Sequence, residues 1–112
     1  MKIIKAIIRP EKLDEVKVAL EKAGYPGMTI AEVDGHGRQK GLTQQWRGEV
    51  FKLELVPKIQ LEVVTADADA EELINAIIES AGTGEVGDGK IFIWDVGEVV
   101  RIRTGERGES AI

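Results

Sequence analysis

The residue types best able to do chemistry fall in three glycine-and-base clusters. The first, Gly82-Thr83-Gly84-Glu85-Val86-Gly87-Asp88-Gly89-Lys90, places four glycines in eight positions and ends on a lysine. Successive backbone N–H groups in such a stretch can close into an anion-binding concavity, and Lys90 adds a point charge beside it. The same residues spell two well-known motifs. Gly82, Gly84 and Gly87 read as G-x-G-x-x-G, and Gly84 to Lys90 read as G-x-x-x-x-G-K. Both motifs need a strand before them and a helix after them, and here that order is reversed. Residue 91 is Ile, so no hydroxyl stands where a Mg²⁺ ligand would be. Neither a dinucleotide-binding fold nor a P-loop NTPase is expected. The plainer reading is a flexible turn, for which about two to four residues would suffice.

Arg101-Ile102-Arg103 puts two guanidinium groups on one side of an extended chain, two residues apart. Their planar forks suit phosphate oxygens, and each charge-assisted hydrogen bond contributes on the order of 1.5–3 kcal/mol. With Lys90 they could support micromolar binding of a triphosphate. Glu106, Arg107 and Glu109 follow, so a charge-balanced, solvated tail is the alternative. Gly35-His36-Gly37-Arg38-Gln39-Lys40-Gly41 is the third cluster. His36 is the only histidine, so one subunit cannot build a His-based metal site or triad. Trp46 and Phe51 lie in a polar stretch, where they either contact a partner or fold back on the body.

The elements that must position these clusters follow from periodicity. Lys2–Arg9 reads as a strand with apolar residues on both faces. Pro10 opens a helix whose stripe is Leu13, Val16, Leu20 and Ala23, with Gly24 as its stop. Met28–Gly35 is a second strand and Lys58–Thr65 a third. Asp69 is expected to cap a second helix, paired with Glu72 in a capping box. Leu73, Ile77 and Ala81 form that helix's stripe, which stops at Gly82. Lys90–Val96 is a fourth strand, and Glu98–Ile102 is expected as a short fifth. The stretch from about His36 to Pro57 has no sustained period in its first half, while its end can extend the third strand.

The order is βαβ–βαβ, and a ferredoxin-like α+β sandwich is its simplest solution: an antiparallel sheet with two helices on one face. Apolar residues on the other face of strands one, three and four point to burial between subunits of a homo-oligomer.

Composition narrows the function. A chain of 112 residues allows one domain burying about two-thirds of its unfolded surface. Twenty acidic residues against 15 basic give a net charge of −5, which argues against non-specific nucleic-acid or membrane binding. Aromatic content of 4% leaves few rings for stacking bases. The total hides an asymmetry: Gly35 to Lys58 carries five basic and two acidic residues, +3, leaving −8 for the remainder. With no cysteine and no signal-peptide pattern, a cytoplasmic location is expected.

Together these segments resemble the PII signal-transduction proteins along the whole chain. Thr83-Gly84-Glu85-Val86-Gly87-Asp88-Gly89-Lys90-Ile91-Phe92-Ile93 is similar to the family's B-loop signature without a departure. Gly37-Arg38-Gln39-Lys40-Gly41 resembles the base of its T-loop, Arg101 to Gly108 its C-loop region, and Arg9-Pro10-Glu11-Lys12-Leu13 the start of its first helix. The resemblance implies one PII-like domain over residues 1–112, with a T-loop at about 37–55, a B-loop at about 82–90 and a C-loop region at about 101–108. It implies a homotrimer with ATP or ADP in the clefts between subunits.

Gly37, Arg38, Gly87, Asp88, Gly89 and Lys90 would meet the nucleotide from one side, with Arg101, Ile102 and Arg103 reaching from the neighbour. Thr29, Glu62 and Val64 would hold the adenine end. Gln39 would help hold Mg²⁺ between ATP and 2-oxoglutarate, with Lys40, Gly41 and Lys58 completing the 2-oxoglutarate site. Trp46, Arg47 and Phe51 are the partner-binding candidates, for an ammonium transporter or an enzyme of nitrogen metabolism. Membrane contact would come only through such a transporter, and no nucleic acid is expected. Phe51 stands where uridylylated members carry Tyr, and Glu49 where others carry a phosphorylated Ser, so uridylylation at Phe51 is excluded. The chain is read as a regulator and not an enzyme. The alternatives are a PII-like sensor of another small metabolite and a slow ATPase, whose only candidate polar groups are Glu62 and Gln39.

Overall fold

The structure, a computed structural model, describes residues 1–25, 27–40 and 51–112, with residues 36–40 and 51–54 described through their backbone only. Four strands, β1 (Lys2–Ile8), β2 (Thr29–Lys40), β3 (Phe51–Thr65) and β4 (Lys90–Asp95), form one antiparallel sheet in the order β2-β3-β1-β4. Two helices, α1 (Leu13–Lys22) and α2 (Ala70–Ala81), pack on one of its faces. This is the ferredoxin-like βαββαβ arrangement that the sequence predicts.

Strand alternation decides what is buried. Ile4, Ala6 and Ile8 of β1 and Ile59, Leu61 and Val63 of β3 face the helices and are almost fully enclosed. Val16 and Leu20 of α1 meet them, as do Leu73, Ile77 and Ala81 of α2. The predicted stripe of α2 is thus core-facing, as are Leu13, Val16 and Leu20 of α1, while Ala23 lies at the helix C-cap outside the core. The opposite face carries Phe92 and Trp94, both more than two-fifths exposed within the single chain. Lys5 lies over the Trp94 ring at 5.3 Å, a cation–π contact on that open face.

Four expectations are corrected. β2 runs past Gly35 to Lys40, because residues 35–40 pair with residues 51–56 of β3. Backbone ladder bonds need a partner strand and no side-chain period, so the aperiodic sequence there gave no sign of it. Asp69 does not cap α2 with its side chain. A single 3-10 turn at Asp67–Asp69 precedes the helix, so Asp69 already has helical backbone (φ −99°, ψ −7°) and Ala66 is the last extended residue. No fifth strand forms among the described residues, only the isolated bridge Val100↔Arg107. Finally, residues 102–104 form a turn, so Arg101 and Arg103 do not lie along an extended chain.

The two Ala-Gly helix ends also differ. At Gly24 (φ +92°) the Tyr25 N–H donates to Leu20 O at 2.8 Å and the Gly24 N–H to Glu21 O at 3.0 Å, a Schellman closure. Gly82 is extended instead (φ −74°, ψ 138°), and leads directly into the glycine loop.

Candidate functional site

Residues 82–90 connect α2 to β4 over the end of β1. Gly84, Gly87 and Gly89 adopt φ of +85°, +101° and +98°. At Gly89 an added Cβ would sit 1.7 Å from the Ile7 carbonyl oxygen, so the loop returns to the sheet by close backbone approach.

The loop is organised around its own carboxylate. Asp88 Oδ2 accepts the N–H groups of Thr83 and Gly84, each at 2.8 Å. Asp88 Oδ1 accepts the Thr83 hydroxyl at 2.5 Å and Arg9 Nε at 2.9 Å. Arg9 Nη2 also donates to Val86 O at 2.8 Å. These bonds, the Thr83 hydroxyl first and then the Arg9 guanidinium, hold the Asp88 carboxyl far below the usual carboxylate range.

A group with a lowered folded pKa contributes stability above its unfolded pKa, and that contribution is lost as pH falls through the folded value. The difference in unfolding free energy between wild type and Asp88→Ala is therefore expected to be constant above about pH 5 and to shrink below about pH 4. Urea titrations across that range measure it. A difference unchanged down to pH 2 would contradict the assignment.

Lys58 connects this loop to the β2–β3 hairpin. Its Nζ donates to Gly87 O at 2.5 Å, while its stem lies against Gly35, where a Cβ would come within 3.2 Å of Lys58 Cγ. The family resemblance implies different ligands for Lys58 and Gly87, and in the fold the two residues are in direct contact. Beside the loop an open, largely apolar groove of about 450 Å³ runs between α2 and β4, bordered by Ile7, Ile78, Gly89, Lys90 and Ile93. Apolar surface next to exposed lysine and loop amides suits an anionic ligand with a flat hydrophobic part.

The other predicted residues divide by location. Thr29 pairs with Glu62 across β2 and β3, and Val64 pairs with Ile3 across β3 and β1. Glu62 accepts a hydrogen bond from Gln60 Nε2 at 3.3 Å and lies 3.9 Å from Lys5 Nζ. Gly37, Arg38, Gln39 and Lys40 pair through their backbones with Glu54, Leu53, Lys52 and Phe51, which places the hairpin arms but not those side chains. Gly41, Trp46, Arg47 and Glu49 lie outside the described residues.

Arg101 is engaged within its own turn. Its Nη1 donates to Glu106 Oε1 and its Nη2 to Ser110 O, both at 2.9 Å. Ile102 is fully exposed. Among the described residues no hydrogen bond or ion pair joins this turn to the 82–90 loop. No group of three or more metal-ligating side chains is found among them either, and no helix there is long and apolar enough to cross a membrane.

Two contributors escaped the sequence reading as site residues. In the sequence Arg9 is the end of the first strand and the residue before a helix start, and Thr83 is one member of a glycine motif. The available clue was that Asp88, the acid in a loop suited to anions, needed a neutralising partner.

The family profile described as Nitrogen regulatory protein P-II matches residues 1–106. The chain is 56% identical to Nitrogen regulatory protein P-II 2 of Methanothermobacter thermautotrophicus, over all of this chain and 97% of that protein. It is 54% identical to Nitrogen regulatory protein P-II of Rhizobium meliloti and 51% identical to that of Pasteurella multocida, each over the full length of both chains.

Proposed function

The chain belongs to the P-II family of nitrogen regulatory proteins, a signalling family, and from that premise we propose a ligand-driven regulator that binds ATP or ADP and 2-oxoglutarate. The observation that carries this reading is the Lys58–Gly87 contact. It couples the residue expected to receive a dicarboxylate to the loop expected to receive phosphate. ATP with Mg²⁺ and 2-oxoglutarate would engage Arg38, Gln39, Lys40, Gly41 and Lys58 at the hairpin base, and ADP would leave another hairpin state accessible. A ligand shifts such an equilibrium only by its differential affinity for the two states. The output is reversible binding of an ammonium transporter or a nitrogen-metabolism enzyme through the segment containing Trp46, Arg47 and Phe51. The protein acts in the cytoplasm as a regulator and not as a catalyst.

The same reading makes it a homotrimer. β4 is an edge strand with one neighbour, and Phe92 and Trp94 present apolar surface beside it. Further copies would cover that surface and bring Arg101 and Arg103 of one subunit to the loop of the next. Arg101 would then exchange Glu106 for phosphate.

Calorimetry with ATP, ADP and 2-oxoglutarate, with light scattering on the same sample, tests the proposal. Nucleotide binding is expected alone, 2-oxoglutarate binding only with Mg-ATP, and a mass three times that of the chain. Lys58→Ala should weaken 2-oxoglutarate at least about tenfold, the cost of one charge-assisted hydrogen bond. The absence of any 2-oxoglutarate heat with Mg-ATP present defeats the dicarboxylate reading.

A further inference from the structure

Arg9 stands just after β1 (Lys2–Ile8), and its guanidinium lies beneath the 82–90 loop with side-chain exposure of 24%. We propose that Arg9 is a positioning residue for nucleotide phosphate, acting through Asp88 and Val86, with Thr83 as its second anchor. The inference rests on the reading that this loop receives phosphate.

Two physical arguments carry it. First, a loop that receives phosphate contains a carboxylate, and like charges at such a site oppose binding. Arg9 Nε neutralises Asp88 at 2.9 Å, and the remaining bonds from the Thr83 and Gly84 N–H groups and the Thr83 hydroxyl turn both carboxylate oxygens inward. Without Arg9 that charge would face an incoming anion uncompensated.

Second, the peptide unit is planar and trans, so its carbonyl and N–H point in opposite directions. Arg9 Nη2 draws the Val86 carbonyl toward the protein at 2.8 Å, which turns the Gly87 N–H outward. Gly87 fits over the guanidinium because it lacks a Cβ, which would come 3.2 Å from Nη2. Lys58 Nζ on Gly87 O fixes the next carbonyl. The outward amide is thus set by a cation bound on the opposite side of the loop.

The test uses the full chain, comparing wild type with Arg9→Gln, Arg9→Lys, Thr83→Val and Thr83→Ser by ATP calorimetry and amide NMR. Arg9→Gln is expected to weaken ATP about tenfold or more, the cost of one charge-assisted hydrogen bond. Arg9→Lys, which keeps the charge but not the fork, should be intermediate. Thr83→Val should lose affinity and Thr83→Ser restore it. In wild type the Gly87 amide resonance should move on ATP addition, and in Arg9→Gln that movement should be reduced.

A folded Arg9→Gln protein with wild-type affinity and an unchanged Gly87 response would overturn the proposal. If Arg9→Gln does not fold, equal affinity in Thr83→Val and Thr83→Ser would overturn it. Wild-type protein that binds neither ATP nor ADP overturns the nucleotide reading, and this inference with it.

Discussion

Gly89→Ala is expected to destabilise the protein by about 2–5 kcal/mol, from left-handed backbone strain plus a steric clash with the sheet. Gly89 has φ +98°, and its added Cβ would meet the Ile7 carbonyl oxygen at 1.7 Å and the carbonyl carbon at 2.7 Å. Neither atom belongs to a flexible side chain, so the loop itself must withdraw. Withdrawal strains the Ile7↔Lys90 pairing at the start of β4 and pulls Asp88 from Arg9. Loss of stability and loss of any phosphate-site geometry should therefore coincide.

Gly84→Ala is the matched control. Its φ is +85°, but nothing lies within 4 Å of an added Cβ, so only the conformational cost of about 1–2 kcal/mol applies. Urea denaturation of both variants reads the difference. If Gly89→Ala costs no more than Gly84→Ala, the close approach to β1 is wrong.

Leu61→Ala is the second large effect, with an expected cost of about 2–5 kcal/mol for a core leucine truncated in place. Leu61 is fully buried on β3, between Ala6 of β1 and Ile30 of β2. The strands around it are tied by ladder bonds on both sides, so the cavity cannot collapse cheaply. Ile78→Ala on α2 removes a similar volume from a side chain that is 55% exposed, and should cost less than about 1 kcal/mol. The midpoint should shift while the denaturant slope stays constant. Equal effects at the two positions would mean that the helix-covered face is not the core.

The elements legible in the sequence are those in which periodicity and burial coincide. Leu73, Ile77 and Ala81 recur at helical spacing and all face the sheet. The alternation of Ile4, Ala6 and Ile8 identifies the covered face of β1, and Gly24 stops α1 through its left-handed backbone. The misses share one cause. Residues 35–40, Asp69 and Arg101 to Arg103 owe their conformations to a distant partner or to an unexpected adjoining turn, and their own side-chain types do not announce either.

The candidate site divides the same way. Residue types alone identified residues 82–90 as a glycine-rich stretch ending on a lysine, from which anion binding is expected, and set it apart from the dinucleotide and P-loop orders. They also carried the resemblance that family membership bears out. Only the tertiary structure decided that Asp88 is saturated by Thr83, Gly84 and Arg9, that Lys58 reaches Gly87, and that Arg101 is held by Glu106. Arg9 and Asp88 are 79 positions apart, and Lys58 and Gly87 are 29 apart. Pairing across such separations is set by where the sheet brings β1, β3 and the loop before β4 together, and local spacing does not encode it.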